Sequence, residues 1–205
     1  MNALIVIAVS YALGCFSTAY YLFRFSTGGD IRSRGSGNAG ARNIGRELGA
    51  WAFAVTFAAD CAKGFLAVAL ARYFAPGETP PLLAAIAVVA GHIWPAQLAF
   101  RGGKGVAAGI GALAAIDFVL LVPSLVILAA IAPVTKNFTL SGLIAIATAP
   151  IASAILHQNP LVLASVSLLT ALIVFAHRED LRALGGAAKM RAGKALDGAA
   201  ARRQT

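Results

Sequence analysis

Charge is what this chain has least of. Asp, Glu, Lys and Arg make up 12% of its 205 residues, against roughly 25% in soluble domains. Only eight residues are acidic, while 59% are hydrophobic and the mean hydropathy is +0.79. That balance excludes an ordinary soluble domain and predicts an integral membrane protein. Cysteine is scarce too. Cys15 and Cys61 are far apart and both fall in apolar stretches, which excludes a disulfide framework or a cysteine metal site and leaves them as small packing residues. The start lacks a basic segment: Met1-Asn2-Ala3 leads into an apolar run that continues to Phe23. It reads as a retained span, not a cleaved signal. No internal repeat of the kind many transporters show is present.

The apolar stretches are 2–23, 50–74, 80–99, 106–133, 138–157 and 160–176. The fourth is too long for one crossing, since 28 helical residues measure about 42 Å against a hydrocarbon core of ~30 Å. It also contains Asp117, costly at mid-bilayer, and Pro123, which interrupts helical hydrogen bonding. Breaking it near Asp117 gives seven spans and gathers fifteen of the 17 Lys and Arg on one face. Only Arg72 then lies near the other face, and Lys63 lies within a span. The positive-inside rule makes the basic face cytoplasmic, with the N-terminus outside and the C-terminus inside. The fold expected is therefore all-α, a polytopic bundle of seven transmembrane spans over 1–177. A basic tail, 178–205, is expected to be disordered or surface-lying. A net charge of +9 placed at one membrane face points to anionic lipid or an anionic substrate, not to nucleic acid.

Three inner segments carry the chemistry. The first is Asp30 to Arg46, with glycine at 35, 37, 40 and 45. Such a backbone turns sharply and presents N–H groups inward, while Ser36, Asn38 and Asn43 add neutral donors and Arg42 and Arg46 charged ones. The set suits phosphate, although a basic loop touching lipid headgroups would have the same composition. The second, Phe100-Arg101-Gly102-Gly103-Lys104-Gly105, places a lysine at a helix N-terminus, where free N–H groups favour anions. It is not a Walker A loop, and Gly105 with Gly109 suggests close helix packing. The third, His177-Arg178-Glu179-Asp180, combines a side chain able to exchange a proton near neutral pH with an arginine fork. Asp60 and Lys63 share a helix face and read as a structural pair. His92 lies about one turn from the second loop, with Pro95 breaking the helix beyond it; His157, at the outer edge, is given no role.

The succession Gly35-Ser36-Gly37-Asn38, Gly91-His92 with Pro95, Gly102-Gly103-Lys104-Gly105-Val106-Ala107, then His177-Arg178-Glu179 resembles the bacterial glycerol-3-phosphate acyltransferases that use acyl phosphate as donor, over about residues 5–182. The resemblance implies a multi-pass enzyme of the bacterial inner (plasma) membrane with its active site facing the cytoplasm, acting in phospholipid biosynthesis. It would transfer a fatty acyl group from acyl phosphate to the sn-1 hydroxyl of glycerol 3-phosphate, giving 1-acyl-glycerol 3-phosphate and phosphate, with membrane lipids as surroundings and no cofactor or metal. It implies catalytic roles for Lys104, His177, Asn38 and Ser36, and substrate binding by Gly37, Asn43, Arg46, Gly102, Gly103 and Arg178. The base is either His177 or a phosphate oxygen of the donor. Three departures stand out: Asp180 where the family usually has asparagine, Arg42 where threonine is usual, and Gly185-Gly186-Ala187 in place of Gly-Thr-Glu. A carboxylate at 180 would repel phosphate unless Arg178 or Arg182 neutralised it. An organic-phosphate transporter and a non-catalytic lipid-binding relative are the competing readings.

Overall fold

A computed structural model of the chain describes residues 2–157 and 159–186, and every regular element among them is helical. In order they are α1 (Ala3–Cys15), α2 (Thr18–Thr27), α3 (Ala41–Leu48), α4 (Ala50–Phe74), α5 (Thr79–Ile93), α6 (Val106–Ile116), α7 (Leu121–Thr135), α8 (Phe138–Ile146), α9 (Thr148–Leu156) and α10 (Pro160–Ala176). A final helix, α11 (Arg178–Gly186), leaves α10 at a 55° bend. The start of the basic tail is thus helical; its remainder, from 187, lies outside the described residues.

By length and composition, five helical segments can cross a membrane, or six if α10 and α11 count as one bent span. The break expected at Asp117 is present. Asp117 caps the end of α6 and accepts from Val119 N–H at 2.8 Å. Pro123 does not cause the break. It lies in the first turn of α7, where its missing N–H would have had no intrahelical partner. With 11 residues, α6 is about 16 Å long, roughly half a hydrocarbon core.

Cross-chain contacts define two ends. At one, Arg72 donates to Ile116 O at 3.0 Å, His157 pairs with Asp117 at 2.9 Å, and Asn159 donates to Glu78 at 2.9 Å. At the other, Ala39 N–H donates to Gly102 O at 3.2 Å, Arg42 bonds Thr139, and Lys104 meets Asp180 at 2.5 Å. So α6 runs from the second end to the first, and α7 leads the chain back.

The first span, expected as one helix over 2–23, breaks at Phe16–Ser17, and Ser17 caps α2. The last carbonyls of α1 would otherwise be unsatisfied in an apolar interior. Lys63 supplies Gly14 O at 3.1 Å and Phe16 O at 2.6 Å, and Gln97 supplies Cys15 O at 2.5 Å. A cation at a helix C-terminus also suits the helix dipole.

Small residues set how closely the helices pack. A Cβ on Gly64 would strike the Ala108 carbonyl, one on Gly111 the Cys61 carbonyl, and one on Gly91 the Tyr11 carbonyl. These glycines allow α4 to meet α6, and α1 to meet α5, backbone to backbone. The expected pair at 105 and 109 divides its work differently. Gly109 faces the Ile173 side chain, whereas Gly105 is the left-handed N-cap of α6, with φ of 85°. The main core is correspondingly alanine- and valine-rich, built from Ala67, Val68, Ala84, Val88, Ala108 and Ala112 among others.

Candidate active site

Asn43 organises the first loop. It is buried, its amide nitrogen donating to Ile31 O, Arg34 O and Asn38 O at 3.2, 3.0 and 2.9 Å, while its oxygen accepts from Ser36 N–H at 2.9 Å. Gly35 and Gly37 take positive φ at 51° and 70°, conformations that cost an L side chain about 1–2 kcal/mol. Ile31, Ala39 and Ile44 pack beneath the loop against Ala19, Phe23 and Ala52. Arg32 ties the loop to the next segment, gripping Asp30 at 2.7 Å and donating to Leu98 O at 2.6 Å. That hydrogen bond holds the Asp30 carboxyl below its ordinary range.

The second loop begins where Pro95 ends α5. Ala99 and Phe100 are both left-handed, and Gly102 and Gly103 N–H then fold back onto Ile93 O and His92 O at 3.1 and 3.0 Å. Both glycines are required, because a Cβ on Gly102 would strike the His92 carbonyl and Pro95, and one on Gly103 the His92 ring. Gly105 opens α6 without a side-chain cap, so the first N–H groups of that helix are free for an anion.

In the third segment His177 ends α10 and is buried. Its Nδ1 lies 2.8 Å from Ile173 O. A carbonyl only accepts, so Nδ1 carries the hydrogen and, in the neutral ring, Nε2 is left as acceptor. Burial pushes His177 below its ordinary value of 6.5; the Ile173 bond works against that, and Lys104 reinforces it.

These segments meet at one cavity of about 360 Å³. Ser36, Asn38, Asn43, Arg46, Lys104 and His177, all expected from the sequence, line it together. Much of the remaining wall is apolar, including Ile110, Leu113, Leu125, Leu128, Leu143 and Val166 from the later helices. Gly37, Gly102 and Gly103 shape the loops but are not part of the wall. Arg178 turns away: its guanidinium sits 4.6 Å from the Phe175 ring centroid and donates to Phe175 O at 3.3 Å.

The structure also resolves the difficulty of Asp180. Its partner is neither Arg178 nor Arg182 but Lys104, at 2.5 Å. Further polar wall residues fall outside the expected set: Arg42, Asp60, His92, Ser124, Thr139, Thr170 and Asp180. Arg42 was legible as an added charge beside Arg46. Asp60 and His92 were visible only as separate intramembrane polar groups, since nothing in their spacing says that α4 and α5 bring them together.

The family model for glycerol-3-phosphate acyltransferase matches residues 4–186. A glycerol-3-phosphate acyltransferase 1 of Desulfitobacterium hafniense is 42% identical over 89% of this chain and 90% of its own length. One of Clostridioides difficile is 40% identical over 88% of this chain and 91% of its own. Among solved structures, the glycerol 3-phosphate form of PlsY (YgiH), an integral membrane glycerol 3-phosphate acyltransferase, superposes with a TM-score of 0.82 at 29% identity, covering 90% of this chain and 92% of that one. Its lysophosphatidic acid form gives 0.80 at 28% identity.

Proposed function

Because this chain belongs to the glycerol-3-phosphate acyltransferase family of integral membrane enzymes, we propose that it transfers a fatty acyl group from acyl phosphate to the sn-1 hydroxyl of glycerol 3-phosphate, releasing 1-acyl-glycerol 3-phosphate and inorganic phosphate. One observation carries the reading: a single cavity joins a phosphate-binding set of donors to a long apolar wall. Two phosphate-bearing substrates bring about four negative charges, which need preorganised donors away from bulk water. The acyl chain is apolar and lies along the helices.

Ser36, Asn38, Arg42, Arg46, Lys104 and the α6 N-terminus hold the phosphates. The glycerol hydroxyl attacks the acyl carbonyl, forming the new ester C–O bond. Lys104 offsets the charge that develops on the carbonyl oxygen. His177, neutral with Nε2 free, receives the hydroxyl proton, and the C–O bond to phosphate breaks as phosphate leaves. Substrate phosphate displaces Asp180 from Lys104. The chain makes seven passes, including the short α6, with the N-terminus outside and this cavity at the cytoplasmic face of the bacterial inner membrane. Arg32, Arg34, Arg42, Arg46, Arg101 and Lys104 at that end support the orientation.

Purified protein given acyl phosphate and glycerol 3-phosphate should form 1-acyl-glycerol 3-phosphate. Lys104→Ala or Asn38→Ala should abolish it, and near-normal turnover by either variant would sink the assignment.

A further inference from the structure

Asp60, Lys63 and His92 lie in the bundle interior, at 1%, 8% and 5% exposure, and none has a part in the chemistry described above. Lys63 Nζ is 2.9 Å from Asp60 Oδ1 and also holds the two carbonyls at the end of α1. The pair is therefore neutral as a unit and anchored to the broken first span. On its other side, Asp60 Oδ1 lies 3.6 Å from His92 Nδ1. The opposite edge of the His92 ring abuts Gly103, and the His92 carbonyl accepts the Gly103 N–H. Lys104 follows directly. An acid–histidine pair thus stands behind the loop that carries the cavity's lysine, assembled from two helices.

We infer that Asp60 and His92 are positioning residues for the second loop: Asp60, neutralised by Lys63, faces the His92 ring across a 3.6 Å electrostatic contact longer than a hydrogen bond, and the ring seats Gly103 so that Lys104 points into the cavity. This rests on the acyltransferase reading. Catalytic constellations tolerate only about 0.5 Å of displacement, and a misplacement of roughly 1 Å costs on the order of a hundredfold. A loop rich in glycine cannot hold such a position by itself; it needs a rigid backing, and the ring provides one.

Asp60→Asn alone would leave Lys63 charged and uncompensated in an apolar interior, so it is expected not to fold. Asp60→Asn with Lys63→Met removes both charges together, but it also strips the donor from Gly14 O and Phe16 O, so its melting temperature is measured beside its KM values. The experiment measures kcat and both KM values for wild type, His92→Ala, His92→Gln and that double variant, with Asp117→Asn at the far end as control. His92→Ala and the double variant should raise the KM of one phosphate-bearing substrate about tenfold, leave the other within about twofold, and lower kcat as well, since Lys104 also acts on the reacting carbonyl. His92→Gln, whose amide reaches the Nε2 edge, should recover most of the affinity. Asp117→Asn should move neither KM. A merely structural role lowers the amount of active enzyme and leaves both KM values in place; that result would overturn the inference. Wild-type protein that transfers no acyl group would remove the functional reading instead. Amide exchange then decides this one: faster exchange at 102–105 in His92→Ala, with 36–43 unaltered, supports it, and unchanged exchange at 102–105 refutes it.

Discussion

At the scale of single residues, the site depends on which polar groups are free and which are already engaged. Asn43 is engaged, with its amide hydrogens and one acceptor site of its oxygen used inside the first loop. Asn43→Ala leaves the buried Ile31 carbonyl without its donor, at about 1–3 kcal/mol, and frees the part-buried Arg34 and Asn38 carbonyls, so a fall in the melting temperature of the detergent-solubilised protein is expected; an unchanged value would contradict its organising role. Lys104 is half engaged through Asp180. Such a partly exposed pair is worth roughly 0.5–1 kcal/mol, so Asp180→Asn should lower the KM of a phosphate-bearing substrate about twofold to fivefold. A rise in KM would mean that the carboxylate itself contacts substrate. His177 is free at Nε2 and neutral, because burial holds it below 6.5. As the folded value is depressed, protons bind the unfolded chain more readily below pH 6.5. Acid therefore costs stability and, on the proposed mechanism, the base. The kcat/KM should stay level down to about pH 6.5 and fall below it, and His177→Ala should lose about a hundredfold or more of kcat. An acid limb lying above pH 6.5 would contradict this assignment.

At the scale of helices, the decisive feature is backbone contact at glycines. Gly111 lies against the Cys61 carbonyl, while a Cβ on Gly142 would meet nothing within 4 Å. Gly111→Leu should force α4 and α6 apart and abolish the folded protein. Gly142→Ala should stabilise α8 by roughly 0.5–1 kcal/mol. Thermal melts of the two variants test this, and similar melting temperatures would refute it. These contacts also show what was readable beforehand. Spans 50–74 and 160–176 match α4 and α10 because predominantly apolar runs of that length, free of internal proline, have one stable form in lipid. The break at Asp117 was readable from charge placement. The break at Phe16–Ser17 was not, because the groups that satisfy the freed carbonyls, Lys63 and Gln97, are 47 and 82 residues away. Six of the ten expected site residues reached the cavity wall, since glycine-rich basic segments at span ends can converge only at one face. Arg178 did not, because an aromatic ring three residues earlier captures it. Asp60 with His92 stayed hidden, as pairing between helices leaves no mark on spacing.

At the scale of the whole molecule, the two ends differ in kind. One is closed by a few polar contacts among Arg72, Glu78, Asp117, His157 and Asn159. The other gathers Arg32, Arg42, Arg46, Lys104 and the cavity mouth. A cysteine placed at Glu78 should react with a membrane-impermeant maleimide in intact cells, and one at Arg101 only after permeabilisation; the reverse pattern would invert the proposed orientation. On the proposed function, the cavity's two-part wall, with polar residues at one end and apolar ones along the helices, lets one bundle bring a water-soluble acceptor to a lipid donor. The most direct test of that claim is the stoichiometry of the purified enzyme. With acyl phosphate and glycerol 3-phosphate together, one inorganic phosphate should appear for each 1-acyl-glycerol 3-phosphate formed, and neither without the acceptor. Phosphate release that proceeds without glycerol 3-phosphate, or no acyl product at all, would contradict the account.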